Sequence, residues 1–276
     1  MKPDLNNLLL RSIIASIEAG KEILKIYDTE FNVQYKEDDT PLTKADQNAS
    51  NKIIELLADT NIPVLSEEGE QFTYEKRKGL ENIFIVDPLD GTKEFVKRNG
   101  EFTVNISLVH KNEPVLGVIF SPVFKDLYFA AKGIGAFKLD KHTFIEIAYQ
   151  IHDLSLERII MFSKKLPRVE YPKAYTVVAS RSHLSSETYH HIEQLKQKHA
   201  AVNMVNTGSS IKMCWVAEGL AHEYPRFGNT MEWDTAAGQC ILENAGCELI
   251  DSVTGKAMAY NREIILNNSF IARRKN

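Results

Sequence analysis

Ile83-Phe84-Ile85-Val86-Asp87-Pro88-Leu89-Asp90-Gly91-Thr92 reads as a buried strand running straight into an acidic turn. Residues 83–86 are apolar and rich in β-branched side chains, as a buried strand requires. Asp87 and Asp90 stand three residues apart in a turn that Pro88 stiffens, so their carboxylates can converge on one small volume. Left alone they repel, and divalent cations are the natural way to neutralise them. The same turn can aim the Leu89 carbonyl inward as a further hard oxygen ligand. Gly91 allows a phosphate to approach the backbone, and Thr92 offers a hydroxyl that can orient a water. A solvated Asp-rich turn is the competing reading. Acidic positions elsewhere in the chain weigh against it.

The 276 residues are enough for one large domain or two intimate ones. A net charge of −4 and a pI near 6.1 argue against a general nucleic-acid binder. The only basic run, Arg273-Arg274-Lys275, reads as a frayed, solvated tail. Cys214, Cys240 and Cys247 have neither CxxC nor metal-site spacing, which fits reduced, buried thiols in a cytoplasmic protein. No apolar run approaches the roughly 18 residues of a membrane span, and the first residues do not form a signal-peptide pattern.

Apolar spacing predicts helices over 4–27 and 43–58, and a short strand over 62–65 that ends at Ser66-Glu67-Glu68-Gly69. Residues 102–139 read as a run of four strands, 102–109, 115–121, 126–131 and 135–139. The second half alternates: strand 174–179, helix 186–198, strand 201–205, helix 209–218, strand 221–224, helix 232–245, then strands over 247–250 and 263–267. Helices with meander strands followed by strand–helix alternation imply an α+β half, 1–150, joined to an α/β half, 151–276. The polar stretch 140–173 is the expected junction.

Strand ends in layered α/β proteins gather catalytic groups. Glu67 and Glu68 end one predicted strand, Asp87 and Asp90 end another, Asp46 opens a helix, and Asp234 lies near the start of the helix over 232–245. On its own Asp234 reads as a plain N-cap aspartate. Taken together, Ser66-Glu67-Glu68, Asp87-Pro88-Leu89-Asp90-Gly91-Thr92 and Trp233-Asp234 resemble the inositol monophosphatase superfamily of metal-dependent phosphatases over nearly the full chain. Ala179-Ser180-Arg181-Ser182-His183, Gly208-Ser209-Ser210-Ile211-Lys212 and residues 224–234 resemble its bacterial 3′(2′),5′-bisphosphate nucleotidases of the CysQ type. The resemblance implies a layered αβαβα sandwich that converts 3′-phosphoadenosine 5′-phosphate to AMP and phosphate, clearing a by-product of sulfate assimilation. It implies one Mg²⁺ on Glu67, Asp87 and the Leu89 carbonyl, and a second on Asp87, Asp90 and Asp234. Glu68 and Asp46 then act from behind these ligands or at a looser third Mg²⁺ site. Glu67 and Thr92 are implied to orient the attacking water, with Asp46 among the catalytic residues.

For the substrate, Gly91 and Thr92 can begin a turn with free backbone donors, and Gly208-Ser209 can offer a second cradle. A simple serine N-cap is an equal reading of the latter. Arg181 and Lys212 are candidates for a non-reacting phosphate. His183 is a candidate base contact against a plain surface role, while His190, His191 and His199 read as solvated. Leu89, Asp90, Glu232 and Asp234 complete the expected substrate-facing set. Inositol monophosphate or a sugar bisphosphate is the rival substrate on the same metal chemistry. An inactive phosphonucleotide sensor is disfavoured because every metal carboxylate and Thr92 are present. Association with the inner membrane face and homo-oligomers are compatible with the resemblance.

Overall fold

The computed structural model describes residues 3–30, 34–35, 41–69, 73–180 and 185–275, with the backbone alone at 34, 35, 41 and 42. Helix α1 (Leu5–Tyr27) starts where the Asp4 carboxylate accepts the Asn7 amide at 3.3 Å. A two-residue ladder, β1 (Gln34–Tyr35) with β2 (Pro41–Leu42), precedes α2 (Lys44–Leu57). Strands β3 (Val64–Ser66) and β4 (Asn82–Asp90) flank the short helix α3 (Tyr74–Arg77). After α4 (Thr92–Val96) come β5 (Thr103–His110), β6 (Glu113–Ser121), β7 (Asp126–Ala131) and β8 (Gly135–Leu139). Next are α5 (Lys141–Ile147), α6 (Leu156–Phe162) and β9 (Lys164–Lys165). The remainder is β10 (Tyr175–Ala179), α7 (Ser186–Lys198), β11 (Val202–Asn206), α8 (Ile211–Glu218), β12 (Glu223–Arg226), α9 (Glu232–Asn244), β13 (Cys247–Asp251) and β14 (Phe270–Arg274).

Strands β3 to β9 form a seven-stranded sheet in sequence order, antiparallel except for the β3–β4 pair. A second sheet has the order β11-β10-β12-β14-β13. Period-2 alternation divides the first sheet between two cores. Phe84, Val86, Val104 and Ile106 face α1 and α2. Ile83, Ile85 and Val109 face α8, α9 and the second sheet. Helix α7 covers the far side of that sheet through Ile192 and Leu195 against Val177. The layers are therefore α1/α2, seven-stranded sheet, α8/α9, five-stranded sheet and α7: the expected αβαβα sandwich.

Contact between α9 and the first sheet is backbone-close. A Cβ on Gly117 of β6 would stand 2.4 Å from the Ala237 carbonyl oxygen. Only glycine lets the helix bearing Asp234 settle this deep.

Two expectations change at the C-terminal end. Residues 263–267 form no strand; Leu266 makes only a single bridge to Met231. The last strand is instead β14, which runs between β12 and β13. Arg273 and Arg274 thus belong to a sheet and not to a frayed tail, because Phe270 and Ala272 are buried beside them. Residues 140–173 are occupied by α5, α6 and β9, and β9 extends the first sheet. Tyr128 and Lys138 of the first sheet and Arg168 converge on the buried carboxylate of Glu218 at the end of α8. All three cysteines are free and buried. Among the described residues no helix is long and apolar enough to cross a membrane.

Candidate metal and phosphate site

The acidic turn owes its geometry to one extra residue. On β4, Asp87 pairs with Asn105 and Asp90 pairs with Thr103, so three steps on one strand match two on the other. Residues three apart in a regular strand point to opposite faces. The bulge restores parity and puts both aspartates on one face. Gly91 then takes φ of +96°, a left-handed conformation suited to glycine. Asp234 arrives from the first turn of α9, where its Oδ2 accepts the Met231 amide at 2.6 Å. As the third residue of α9 it bonds back to the N-cap amide, and it is a member of the acidic set at once.

Carboxylate oxygens of Asp87, Asp90 and Asp234 lie within 4.8 Å of one another. Burial, then Glu67, Asp90 and Asp234, push the Asp87 carboxyl well above its ordinary value. Burial and then Asp90 raise Asp234 to about 7. A buried, mutually repelling set of hard oxygens fits a divalent cation and little else. Glu67 and Leu89 line the same cleft, whose volume is about 290 Å³.

Asp46 is 2% exposed and stands behind this set. Its Oδ2 accepts the Thr43 amide at 2.8 Å and the Thr43 hydroxyl at 2.6 Å, closing the capping box of α2. Its Oδ1 accepts the Thr92 hydroxyl at 3.2 Å. Burial first, opposed by the Thr43 bonds, leaves Asp46 at about 6, with Glu68 raising it further. Glu68 is thus a neighbour of Asp46 and is not among the residues lining the cleft.

A pH dependence follows for the cation-free protein. Asp46 and Asp234 hold protons in the fold at pH values where the unfolded chain, with carboxylates near 3.8, has released them. Stability is then full at low pH and falls as pH rises toward the folded values. With chelator present, the melting temperature is expected to drop between about pH 4 and 7, and added divalent cation should restore it at the upper end. A flat or rising melting temperature over that window would contradict the arrangement.

The segment at 208–210 serves protein carboxylates. The Gly208 amide donates to Glu101 Oε2 at 2.9 Å, while the Ser210 amide and the Ser209 hydroxyl both donate to Asp90 Oδ2 at 2.6 Å. The Ser210 hydroxyl turns to Asn105 Oδ1 at 2.8 Å, so it does not cap α8. Gly208 and Ser209 line the cleft, with the Gly208 amide and the Ser209 hydroxyl engaged by Glu101 and Asp90. Gly91 and Thr92 also line it.

Lys212 is buried against the cleft, its Nζ donating to the Ser209 carbonyl at 2.6 Å. Burial brings it down to about 8, against the pull of Asp90. Arg181 and His183 lie outside the described residues. Glu232 is not brought to the site. Its carboxylate is fully buried and takes the amides of Asn261 at 2.7 Å and Arg262 at 3.0 Å, together with the Arg262 side chain. His191 is not solvated either, since it pairs with Glu223.

The Inositol monophosphatase family model matches residues 5–275. The chain belongs to the inositol monophosphatase family. The 3′(2′),5′-bisphosphate nucleotidase CysQ of Salmonella typhimurium is 41% identical over 257 residues, covering 91% of this chain and 94% of that protein. The protein of the same name from Haemophilus influenzae is 32% identical, covering 96% and 92%. The crystal structure of CysQ from Bacteroides thetaiotaomicron is similar with a TM-score of 0.89 and 44% identity, covering 99% of both chains. An inositol monophosphatase from Anabaena shares the fold at a TM-score of 0.68 and 19% identity, covering 98% and 91%.

One residue lining the cleft has no role assigned from the sequence. Arg226 lines the cleft from the end of β12, and its buried Nε has no hydrogen-bond partner among the described residues. Its other contact is from Nη2 to the Asn229 carbonyl at 3.0 Å. The signal was its parity with Tyr224, obscured because a strand was not expected to continue through Pro225. Only the first residue of β12 pairs with β10, so Pro225 sits where that ladder has opened.

Proposed function

We propose that the chain is a 3′(2′),5′-bisphosphate nucleotidase, releasing phosphate from 3′-phosphoadenosine 5′-phosphate to leave AMP. The carrying observation is that one cleft is lined both by the Asp87–Asp90–Asp234 triad and by the cations Lys212 and Arg226. A substrate with two phosphates can use the triad and the cations together; one with a single phosphate uses only the triad. The kinship with nucleotidases at 32–41% identity supports the same reading.

Glu67, Asp87 and the Leu89 carbonyl would hold one Mg²⁺, and Asp87, Asp90 and Asp234 a second. When bound, these ions supply Lewis-acid activation of water and of the phosphoryl group. The Thr92 hydroxyl, its proton directed to Asp46 Oδ1, keeps an oxygen lone pair free to accept a hydrogen bond from the attacking water and so orient it. Glu67 orients that water. Ser209 and Ser210 fix Asp90 by two short hydrogen bonds, so the ligand oxygen opposite is held before substrate enters. Lys212 and Arg226 neutralise the phosphate that does not react.

Phosphate release from 3′-phosphoadenosine 5′-phosphate, inositol 1-phosphate and fructose 1,6-bisphosphate, side by side in Mg²⁺, tests the assignment. The nucleotide should show the highest kcat/KM. A preference for inositol 1-phosphate would move the assignment to an inositol monophosphatase.

A further inference from the structure

A second hollow of about 500 Å³ lies where the C-terminal end of α7 meets the start of β10 and β12 and the end of β14. Four cations line it, Lys198, Arg273, Arg274 and Lys275, against a single carboxylate, Glu223. That carboxylate is already committed: it accepts the Tyr175 hydroxyl at 3.0 Å and pairs with His191. Arg273 bonds Glu248 at 2.9 Å, and the Arg274 guanidinium lies 4.8 Å from the centre of the Tyr171 ring. Among the described residues, Lys198, Arg274 and Lys275 enter no ion pair. Such a local excess of positive charge is unexpected in a chain of net charge −4.

The floor of the hollow is ring-stacked. His199 and His222 stack on Tyr175 with centroids 3.9 and 4.7 Å away. The Thr176 amide donates to His222 Nδ1 at 3.0 Å, which places the imidazole proton on Nε2 as a further donor. The hollow is distinct from the catalytic cleft and shares no lining residue with it. The β12–β14 ladder separates them. Its Glu223–Arg273 pair faces the hollow, and its Arg226–Phe270 pair lines the cleft on the other face.

We propose that this hollow is a second anion site, taking a phosphate group either free or carried by a nucleoside. The cations meet the phosphate, and the Tyr175–imidazole surface gives a planar base a place to pack.

Calorimetric titration of the Mg²⁺-saturated full chain with inorganic phosphate, and separately with AMP, tests it. Wild type should bind two equivalents of at least one of these anions. The Lys198→Ala/Lys275→Ala double variant should bind one, with unchanged turnover and melting temperature. Arg226→Ala should keep the site that the double variant loses. AMP binding the hollow more tightly than phosphate assigns a nucleotide, and equal affinities assign the phosphate group alone; both uphold the site. A single equivalent of each anion in wild type, or two equivalents retained in the double variant, overturns it.

Discussion

Replacing Asp87 by Asn is expected to lower phosphate release by on the order of 10³-fold or more at saturating Mg²⁺, while raising the melting temperature of the chelator-treated protein. Both effects come from one carboxylate. Asp87 is buried with Glu67, Asp90 and Asp234 around it, so in the absence of cation its charge is the worst placed in the site. Asparagine removes that charge and keeps the carbonyl that accepts the Leu89 amide, now at 3.0 Å, so the bulge has no reason to collapse. Above pH 7 the variant should therefore melt higher than wild type in chelator, and below about pH 4 the difference should vanish as the wild-type carboxyls take up protons. Cation should raise the melting temperature of wild type far more than that of the variant. Turnover within tenfold of wild type would remove Asp87 from the site, whatever the melting curves show.

How much of this was legible in the chain depended on sequence distance. The acidic turn was readable because Asp87, Leu89, Asp90 and Thr92 are near neighbours and a single bulge brings them together. The layers were readable because strands and helices carry their own periods. Residues 263–267 misled because Ile264, Ile265 and Leu266 imitate a strand, yet Ile264 and Leu266 are exposed at 72% and 41%. Glu232 misled through its nearness to Asp234. Two residues along a helix are about 200° apart, so the two carboxylates leave α9 in opposite directions. The commitment of the Ser209 and Ser210 donors to Asp90 spans more than a hundred residues, and no local pattern records it. The parity of Arg226 was hidden for a simpler reason, since a proline inside a strand argues against the strand until the partner that it would lose is known to be absent.

That residue carries the last expected result. Arg226→Ala should reduce kcat/KM for 3′-phosphoadenosine 5′-phosphate by roughly 10- to 100-fold, the worth of a charge-assisted hydrogen bond. It should leave adenosine 3′-monophosphate nearly unaffected. In wild type the remote phosphate helps to position the reacting one, so the bisphosphate should be the better substrate by a similar factor. Lys212→Ala serves as the contrast. Its Nζ also holds the Ser209 carbonyl, and Ser209 in turn holds Asp90, so its loss should harm both substrates. Arg226 has no such duty: among the described residues its one side-chain hydrogen bond is to the Asn229 carbonyl, and its Nε is unpartnered. Equal efficiency of wild type on the two nucleotides would contradict anchoring altogether. If Arg226→Ala injures both substrates alike, the anchor lies elsewhere and Arg226 supports the cleft wall.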